Sequence, residues 1–331
     1  MKVLISGGAG YVGSCISQAL MASGHIPVII DNLDSGREHF IKDKLFYKAD
    51  IGDLKTVSRI LNEHPEIEAL IHCAERAMVA DSVYKPYEYY ISNVSKSMEF
   101  CNLITDAGCK KIIYSSTAGI YEDVAGYMVS ENSPTRPRSP FARSKYITEM
   151  ILEDFCAAYD TRCITLRYFN PIGAAPDMSC GAEHSNSGNI VSEIISSVEK
   201  ERPFMITGDN WPTKDGTCIR DYVHVWDLAL AHVKALENFE RAFRVSESSG
   251  YLPINVGSGI GTTVKEVITA FENVTGEKVS VKIGERRAGD ICGSYASTNA
   301  ARDFIDWKAE LSMEEAILDT IRWEDFKRAT R

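Results

Sequence analysis

The sequence predicts an α/β fold: a doubly wound parallel sheet followed by a smaller C-terminal α/β lobe. Three observations carry that reading. Short apolar runs alternate with segments of helical period from residue 2 to about residue 169. A glycine cluster stands between the first strand and the first helix. Beyond residue 170 the rhythm breaks into a stretch rich in Gly, Pro, Ser and Asn, as a separate lobe requires. The division expected is 1–170 with about 220–257 for the sheet domain, and 171–219 with 258–331 for the smaller lobe.

The elements follow in order. Residues 2–6 are an apolar run ending at glycines, and the helical spacing behind them continues through Leu20 to a stop at Gly24. Residues 26–31 and, more weakly, 44–47 read as strands, 57–61 as helix and 69–73 as strand. A long helix is predicted over 87–108, a strand over 112–115, a second long helix over 140–159 and a strand over 164–169. Further on, one helix falls near 190–199, α/β pieces at 222–236 and 254–256, and amphipathic helices at 263–275 and 313–323.

Composition narrows the function classes. The chain has 331 residues, 44% of them hydrophobic and 25% charged, so it folds around a core and is not a low-complexity sequence. A net charge of −10 without a basic block argues against nucleic acid as a partner. The first residues lack the apolar run of a signal peptide, and no stretch reaches the ~18 apolar residues of a membrane span, so a cytoplasmic protein is expected. Nine cysteines without C-x-x-C or other metal spacing read as reduced thiols, and no metal site is expected.

The first chemical signal is Gly7-Gly8-Ala9-Gly10-Tyr11-Val12-Gly13, which fits both G-x-x-G-x-x-G and G-x-G-x-x-G. Placed after a strand and at the start of a helix, it turns backbone N–H groups and the positive helix end toward a pyrophosphate. Asp31 closes the second strand, where a carboxylate accepts hydrogen bonds from a ribose diol and repels a 2′-phosphate. This favours NAD over NADP, although Arg37 lies near enough in sequence to meet a 2′-phosphate.

The second signal is Tyr114-Ser115-Ser116-Thr117 at a strand end, followed by Phe141-Ala142-Arg143-Ser144-Lys145. With these motifs, and with the S-V-x-K-P-x-E-Y-Y of 82–90, R-Y-F-N-P of 167–171, D-G-T-C-I-R-D-Y-V-H-V of 215–225 and R-R-A-G-D of 286–290, the chain resembles the extended short-chain dehydrogenases/reductases, and in detail the UDP-hexose 4-epimerases. The resemblance spans residues 4 to about 310 in the family's order. It implies a Rossmann-type domain, a UDP-sugar substrate, tightly held NAD, and a homodimer joined through two long helices, here about 84–108 and 140–159. The apolar Ile147, Met150, Ile151 and Phe155 suit either that interface or the core.

The resemblance also implies site residues. The glycine loop (Gly7, Gly10, Tyr11, Val12, Gly13), Asp31 and Asn32, Asp50 and Ile51, Asn93, Lys145 and Tyr168 would hold the dinucleotide. Ser116, Thr117, Asn170, Asn189, Thr207, Arg220, Tyr222, Arg287, Asp290 and Ser294 would hold the UDP-sugar. Arg220 and Arg287 are suited to a diphosphate by charge-assisted bonds. The alternative for each is an ion pair with Asp221 or Asp290. A small residue at Ser294 leaves room for an N-acetyl group on the sugar. In the family's reaction a base removes the proton from the C4 hydroxyl while NAD takes the hydride, and the ketone receives it back on the other face. Thr117 would hydrogen-bond the reacting oxygen, and Lys145 would depress the pKa of a tyrosine four residues before it.

At that tyrosine position this chain carries Phe141, which moves no proton. General acid–base catalysis is worth ~10²–10⁴ in rate, so efficient epimerisation should be lost. Tyr146 is turned ~100° away from the face of 141 and 145. Glu122 and Glu75, at positions where the family has glycine, could each bring a carboxylate to the cleft, but solvated surface charges are the expected state of both. His72 is expected to be packed and hydrogen-bonded. Ala77 stands where the family has a lysine, with Arg76 adjacent, and Ser92 replaces the first of two asparagines. Thr117 is followed by Ala118-Gly119, which disfavours a dehydratase route that needs Asp-Glu there. Two other readings stay open: a non-catalytic NAD and sugar-nucleotide binding protein, and an oxidoreductase that stops at the keto sugar.

Overall fold

The computed structural model describes residues 1–183, 189–286 and 291–330. Seven parallel strands form the main sheet. Five come from the first part of the chain: β1 (Lys2–Ser6), β2 (Ile26–Asp31), β3 (Leu45–Lys48), β4 (Ile67–His72) and β5 (Lys111–Thr117). Arg162–Tyr168 and Tyr251–Val256 extend the sheet, whose order is Tyr251–Val256, Arg162–Tyr168, β5, β4, β1, β2, β3. The order reverses between β1 and β4, and a crevice opens at such a switch point, beyond the carboxyl ends of the strands.

The strands are legible because a parallel sheet is covered on both faces and its strands become continuous apolar runs. Val3, Leu4 and Ile5, Val28 to Ile30, and Ala69 to Ile71 have no exposed surface. One layer of helices, including α1 (Tyr11–Ala22) and Val225–Glu237, packs on one face, and Ser97–Asp106 with Pro140–Ala158 packs on the other. Among the described residues, no helix is long and apolar enough to cross a membrane.

Three features differ from expectation. The long helix over 87–108 is interrupted: α-helix over Pro86–Tyr90, a π-helical segment over Ile91–Lys96, and α-helix again over Ser97–Asp106. A register change of this kind widens the turn locally and leaves no mark on residue periodicity. Asn170–Ile172 is a short strand that pairs with Ile219–His224, so the region after residue 169 begins with strand. Phe204–Thr207 and Val281–Gly284 pair in parallel as a separate two-stranded sheet.

A second apolar cluster, distinct from those against the main sheet, joins Ile172, Val191, Ile194, Phe204, Ile206, Val267, Phe271 and Ile317. Its helix Val264–Thr275 starts at a capping box in which Thr263 and Glu266 satisfy each other's backbone N–H groups. The chain leaves this cluster over residues 299–307 and rejoins it at Ala316 and Ile317. The helix Asn299–Ile305 and Trp307 pack against the main sheet's core.

Candidate functional site

A cleft of about 1200 Å³ lies at the switch point, between the carboxyl ends of the strands and the second cluster. Its floor is the glycine loop. Gly10 caps α1 without a side-chain bond, so the first-turn amides of Tyr11, Val12 and Gly13 stand at the cleft wall uncapped. Gly13 has no room for a side chain, because a Cβ there would fall 2.1 Å from the Gly7 carbonyl oxygen. Gly13→Ala should therefore push the helix away from the loop, lowering the melting temperature and abolishing the thermal shift on adding NAD. An unchanged shift would mean that the loop does not form the diphosphate cradle.

Asp31 ends β2 buried beside this loop. One carboxylate oxygen accepts from Ala9 N (3.0 Å) and the other from Leu33 N (2.8 Å). Burial pushes its pKa up and these two bonds oppose that rise. Its remaining lone pairs are those a diol would use. Asp50 is held by Lys96 (2.9 Å), Gly52 N (2.8 Å) and Asn32 (3.3 Å). Burial acts to raise its pKa, but these bonds prevail and hold it below the usual value. Asp31, Asn32, Asp50 and Ile51 all line the cleft. The glycine cradle, open helix end and strand-end carboxylate fit the adenosine and diphosphate parts of NAD. Arg37 is turned toward Gly36 O and Glu183, outside the cleft lining.

The far end departs from what the resemblance implies. Ser139 caps the helix Pro140–Ala158 through Ala142 N (3.1 Å), and Pro140 takes its first turn, which fixes where positions 141 and 145 fall. Phe141 lines the cleft. Lys145 does not: it is 1% exposed, and its ammonium is bound to the Glu75 carboxylate and the Ser115 carbonyl, 4.3 Å from the Tyr114 ring centroid. Glu75 lines the cleft above it, 17% exposed. Glu75 is thus no solvated surface charge, whereas Glu122 is paired with Arg136 (2.9 Å) away from the cleft. Burial pulls the pKa of Lys145 down to about 7, against the opposing influence of Cys73 and Glu149.

Asn93 is also displaced from its expected role. It sits in the π-helical segment, 1% exposed, and its amide is spent on the Arg76 backbone (2.9 and 3.0 Å) and Ser144 (3.1 Å). It shapes the loop after β4 and does not face the cleft. Arg76 does line the cleft and pairs with Asp34 (3.6 Å) and Glu88 (3.4 Å). Its neighbours were legible as departures from the family, but Glu75's hold on Lys145 was not. His72 is buried between Ser6 (2.6 Å) and Ser97 (2.8 Å), and burial keeps its pKa down at about 3. Tyr146 packs against Ile120 and Tyr121, away from the cleft.

Thr117 lines the cleft, and its oxygen accepts from Gly119 N (3.1 Å), which leaves the hydroxyl hydrogen for an acceptor. Ser116 also lines the cleft, but its hydroxyl is given to Glu149, itself held by Arg167 (2.7 Å). Tyr168 reaches the cleft with its hydroxyl bound to His232.

On the opposite wall stand Asn170, Asn189, Arg220, Tyr222 and Ser294. Asn189 caps the helix Ile190–Glu199 with its oxygen, and its buried amide nitrogen has no hydrogen-bond partner among the described residues. A buried donor in that state can serve an acceptor on a ligand. Arg220 is not paired with Asp221. Its guanidinium donates to the carbonyls of Ile219 (2.7 Å), Cys292 (2.9 Å) and Ile291 (3.2 Å). Asp221 instead accepts from Ser258 N, Gly259 N and Ala296 N. Thr207 does not line the cleft, and Arg287 and Asp290 lie outside the described residues.

Comparison with known proteins agrees with this geometry. Residues 3–247 match the model of the NAD dependent epimerase/dehydratase family. A UDP-glucose 4-epimerase of Bacillus subtilis is 36% identical, covering 98% of this chain and 97% of its own. Among solved structures, UDP-glucose-4-epimerase from Stenotrophomonas maltophila, with bound NAD and formylated UDP-arabinopyranose, superposes with a TM-score of 0.93 at 34% identity over the whole of both chains. The enzyme from Bifidobacterium longum, in complex with NAD+ and UDP, gives 0.90 at 29% identity over 99% of each. Fold, cleft and sequence together place the chain in the NAD dependent epimerase/dehydratase family, alongside the UDP-glucose 4-epimerases.

Proposed function

We propose that the chain binds NAD and a UDP-hexose in this cleft and has the architecture of a UDP-hexose 4-epimerase, with proton transfer suppressed at position 141. The observation that carries the reading is Phe141 itself: it lines the cleft with Thr117 but has no atom that takes or gives a proton. Bound NAD would supply the hydride acceptor and donor. Thr117 can donate to the C4 oxygen, Asn189 can donate to an acceptor on the substrate, and Arg220 sets the Ile291–Cys292 wall against the diphosphate. Ser294, 8% exposed at the cleft, leaves space for an N-acetyl substituent. The test is to offer UDP-galactose and UDP-GalNAc to the chain and its Phe141→Tyr variant and follow the products by NMR.

A second reading is favoured by the position of Glu75. A carboxylate at the cleft could take the hydroxyl proton and leave a keto sugar with reduced cofactor. Absorbance in the reduced-nicotinamide band separates the cases: a stoichiometric rise on adding UDP-sugar supports this route, and no change supports binding alone.

The sheet domain and smaller lobe divide, in this reading, at the cleft itself, with residues 299–307 returning to the first and Ala316 and Ile317 belonging to the second. We also propose a homodimer through the helices around 84–108 and 140–159. Tyr84 and Tyr87 are 85% and 76% exposed, Tyr87 at the rim of the cleft, and Val83, Met98 and Met150 are further exposed apolar side chains on these helices. Tyr84→Asp/Tyr87→Asp should convert the chain from dimer to monomer in sedimentation velocity. A parent chain that already sediments as a monomer would end this part of the reading.

A further inference from the structure

Cys15 and Cys180 are 165 residues apart in sequence, yet their sulfurs are 3.1 Å from each other. Neither can drift easily. Cys15 is in the second turn of α1, wholly buried. Cys180 is on the return arm of a loop closed by a bridge between Ala174 and Gly181 and by Ala175 N donating to Cys180 O (2.8 Å). Nothing in the reaction proposed above uses either sulfur.

We propose that Cys15 and Cys180 are a modification site, a thiol pair that closes to a reversible disulfide when the folded chain meets a peroxide. The surroundings divide the roles. The hydrogen bond with Cys15, helped by Ser179 and the Lys44 charge, lowers the Cys180 pKa against the effect of burial, which makes Cys180 the more acidic sulfur of the pair and the one that attacks first. Burial, and then the contact with Cys180, pushes Cys15 up, so it stays protonated. Tyr11 also faces the pair electrostatically and stays neutral because burial raises its pKa, and Lys44 beside the pair has its own pKa lowered by burial. Six of the other cysteines lack these conditions: burial raises the pKa of Cys73, Cys101, Cys109, Cys156, Cys163 and Cys292.

The chemistry balances with the peroxide as oxidant. The Cys180 thiolate attacks one peroxide oxygen, the O–O bond breaks, and hydroxide leaves with a proton as water, giving a sulfenic acid. The Cys15 sulfur then attacks the Cys180 sulfur, the S–S bond forms, and the sulfenic oxygen departs as a second water with the Cys15 proton. Two sulfurs are each oxidised by one electron and the two peroxide oxygens are reduced. A thiol sulfur attacking a sulfur 3.1 Å away needs little backbone movement. The cross-link would tether the helix that carries the glycine loop to the loop on its other side.

The test uses the native full-length chain. Hydrogen peroxide is added and quenched, the protein is denatured, and free thiols are alkylated and counted by intact mass. Nine labels before treatment should become seven after it, dithiothreitol should restore nine, and peptide mapping should link Cys15 to Cys180. Cys180→Ala should keep all eight of its labels under the same treatment, whereas Cys15→Ser, which lacks the resolving thiol, should form no cross-link and lose one label as an oxidised sulfur at Cys180. Nine labels after peroxide, a link between other cysteines, or sulfinic acid at Cys180 without a cross-link would each overturn the proposal. The parent's map decides the matter even if a variant fails to fold.

Discussion

Phe141→Tyr should raise the rate of UDP-galactose epimerisation by about 10²- to 10⁴-fold, the usual worth of a positioned acid–base group. The substitution adds one oxygen to a ring already at the cleft wall, on a helix whose start is fixed by Ser139 and Pro140. Thr117 stands in the same cleft to hydrogen-bond the reacting oxygen. What the phenol still lacks is a free cation. An ordinary tyrosine titrates near ~10, and a nearby positive charge brings it down toward neutrality. Lys145, four residues on and a neighbour on the helix face, is engaged by Glu75. Phe141→Tyr combined with Glu75→Gly should therefore exceed Phe141→Tyr alone. NMR of the sugar anomeric signals gives both rates, and calorimetry with UDP shows whether binding has changed as well. If the parent epimerises as fast as Phe141→Tyr, another group moves the proton. Glu75 is then the residue to replace, because Glu122 is bound to Arg136 outside the cleft.

The parts of this protein that could be read from sequence are those where one local pattern has one physical meaning. Val3-Leu4-Ile5 and Ile112-Ile113 are strands buried on both faces, and their alternation with segments of helical period is what marks them as strands of a parallel sheet. The glycine loop was legible for the same reason: the contact between positions 7 and 13 that excludes a side chain is local. Pairings across long separations were not. Phe204–Thr207 meets Val281–Gly284, and Met128–Val129 meets Tyr295–Ala296, through short, partly exposed strands whose own sequences carry little preference. The π-helical segment at 91–96 is a hydrogen-bond register, invisible to residue spacing. At the site, each motif located its own residues, but the state of Lys145 depends on a loop 70 residues earlier. Glu75 was visible as a charge in a glycine's place. That it turns inward and takes the lysine is a tertiary fact.

This has a consequence opposite in sign for stability and for affinity. Glu75→Gln should lower the melting temperature of the ligand-free chain and tighten NAD by about tenfold or more. Without the carboxylate, the buried ammonium is left with the Ser115 carbonyl and the Tyr114 ring, and removing one partner of a buried pair costs ~3–5 kcal/mol. Burial already draws the pKa of Lys145 to about 7, so deprotonation above that pH softens the loss. The sign follows from the lowered value. Between about 7 and the ordinary lysine range the unfolded chain binds the extra proton, so in Glu75→Gln stability should rise with pH over that window. Affinity moves the other way because the resemblance assigns Lys145 to the dinucleotide. As long as Glu75 holds the lysine, binding must first break the pair, and the apparent dissociation constant is raised by the small fraction of chains in which it is open. The carboxylate also adds a negative charge to a cleft meant for a diphosphate. Isothermal calorimetry with NAD, and melting curves with and without it, measure both effects on one sample. Weaker NAD binding by Glu75→Gln would show that the carboxylate helps to hold the cofactor, and the pair would then be part of a working site.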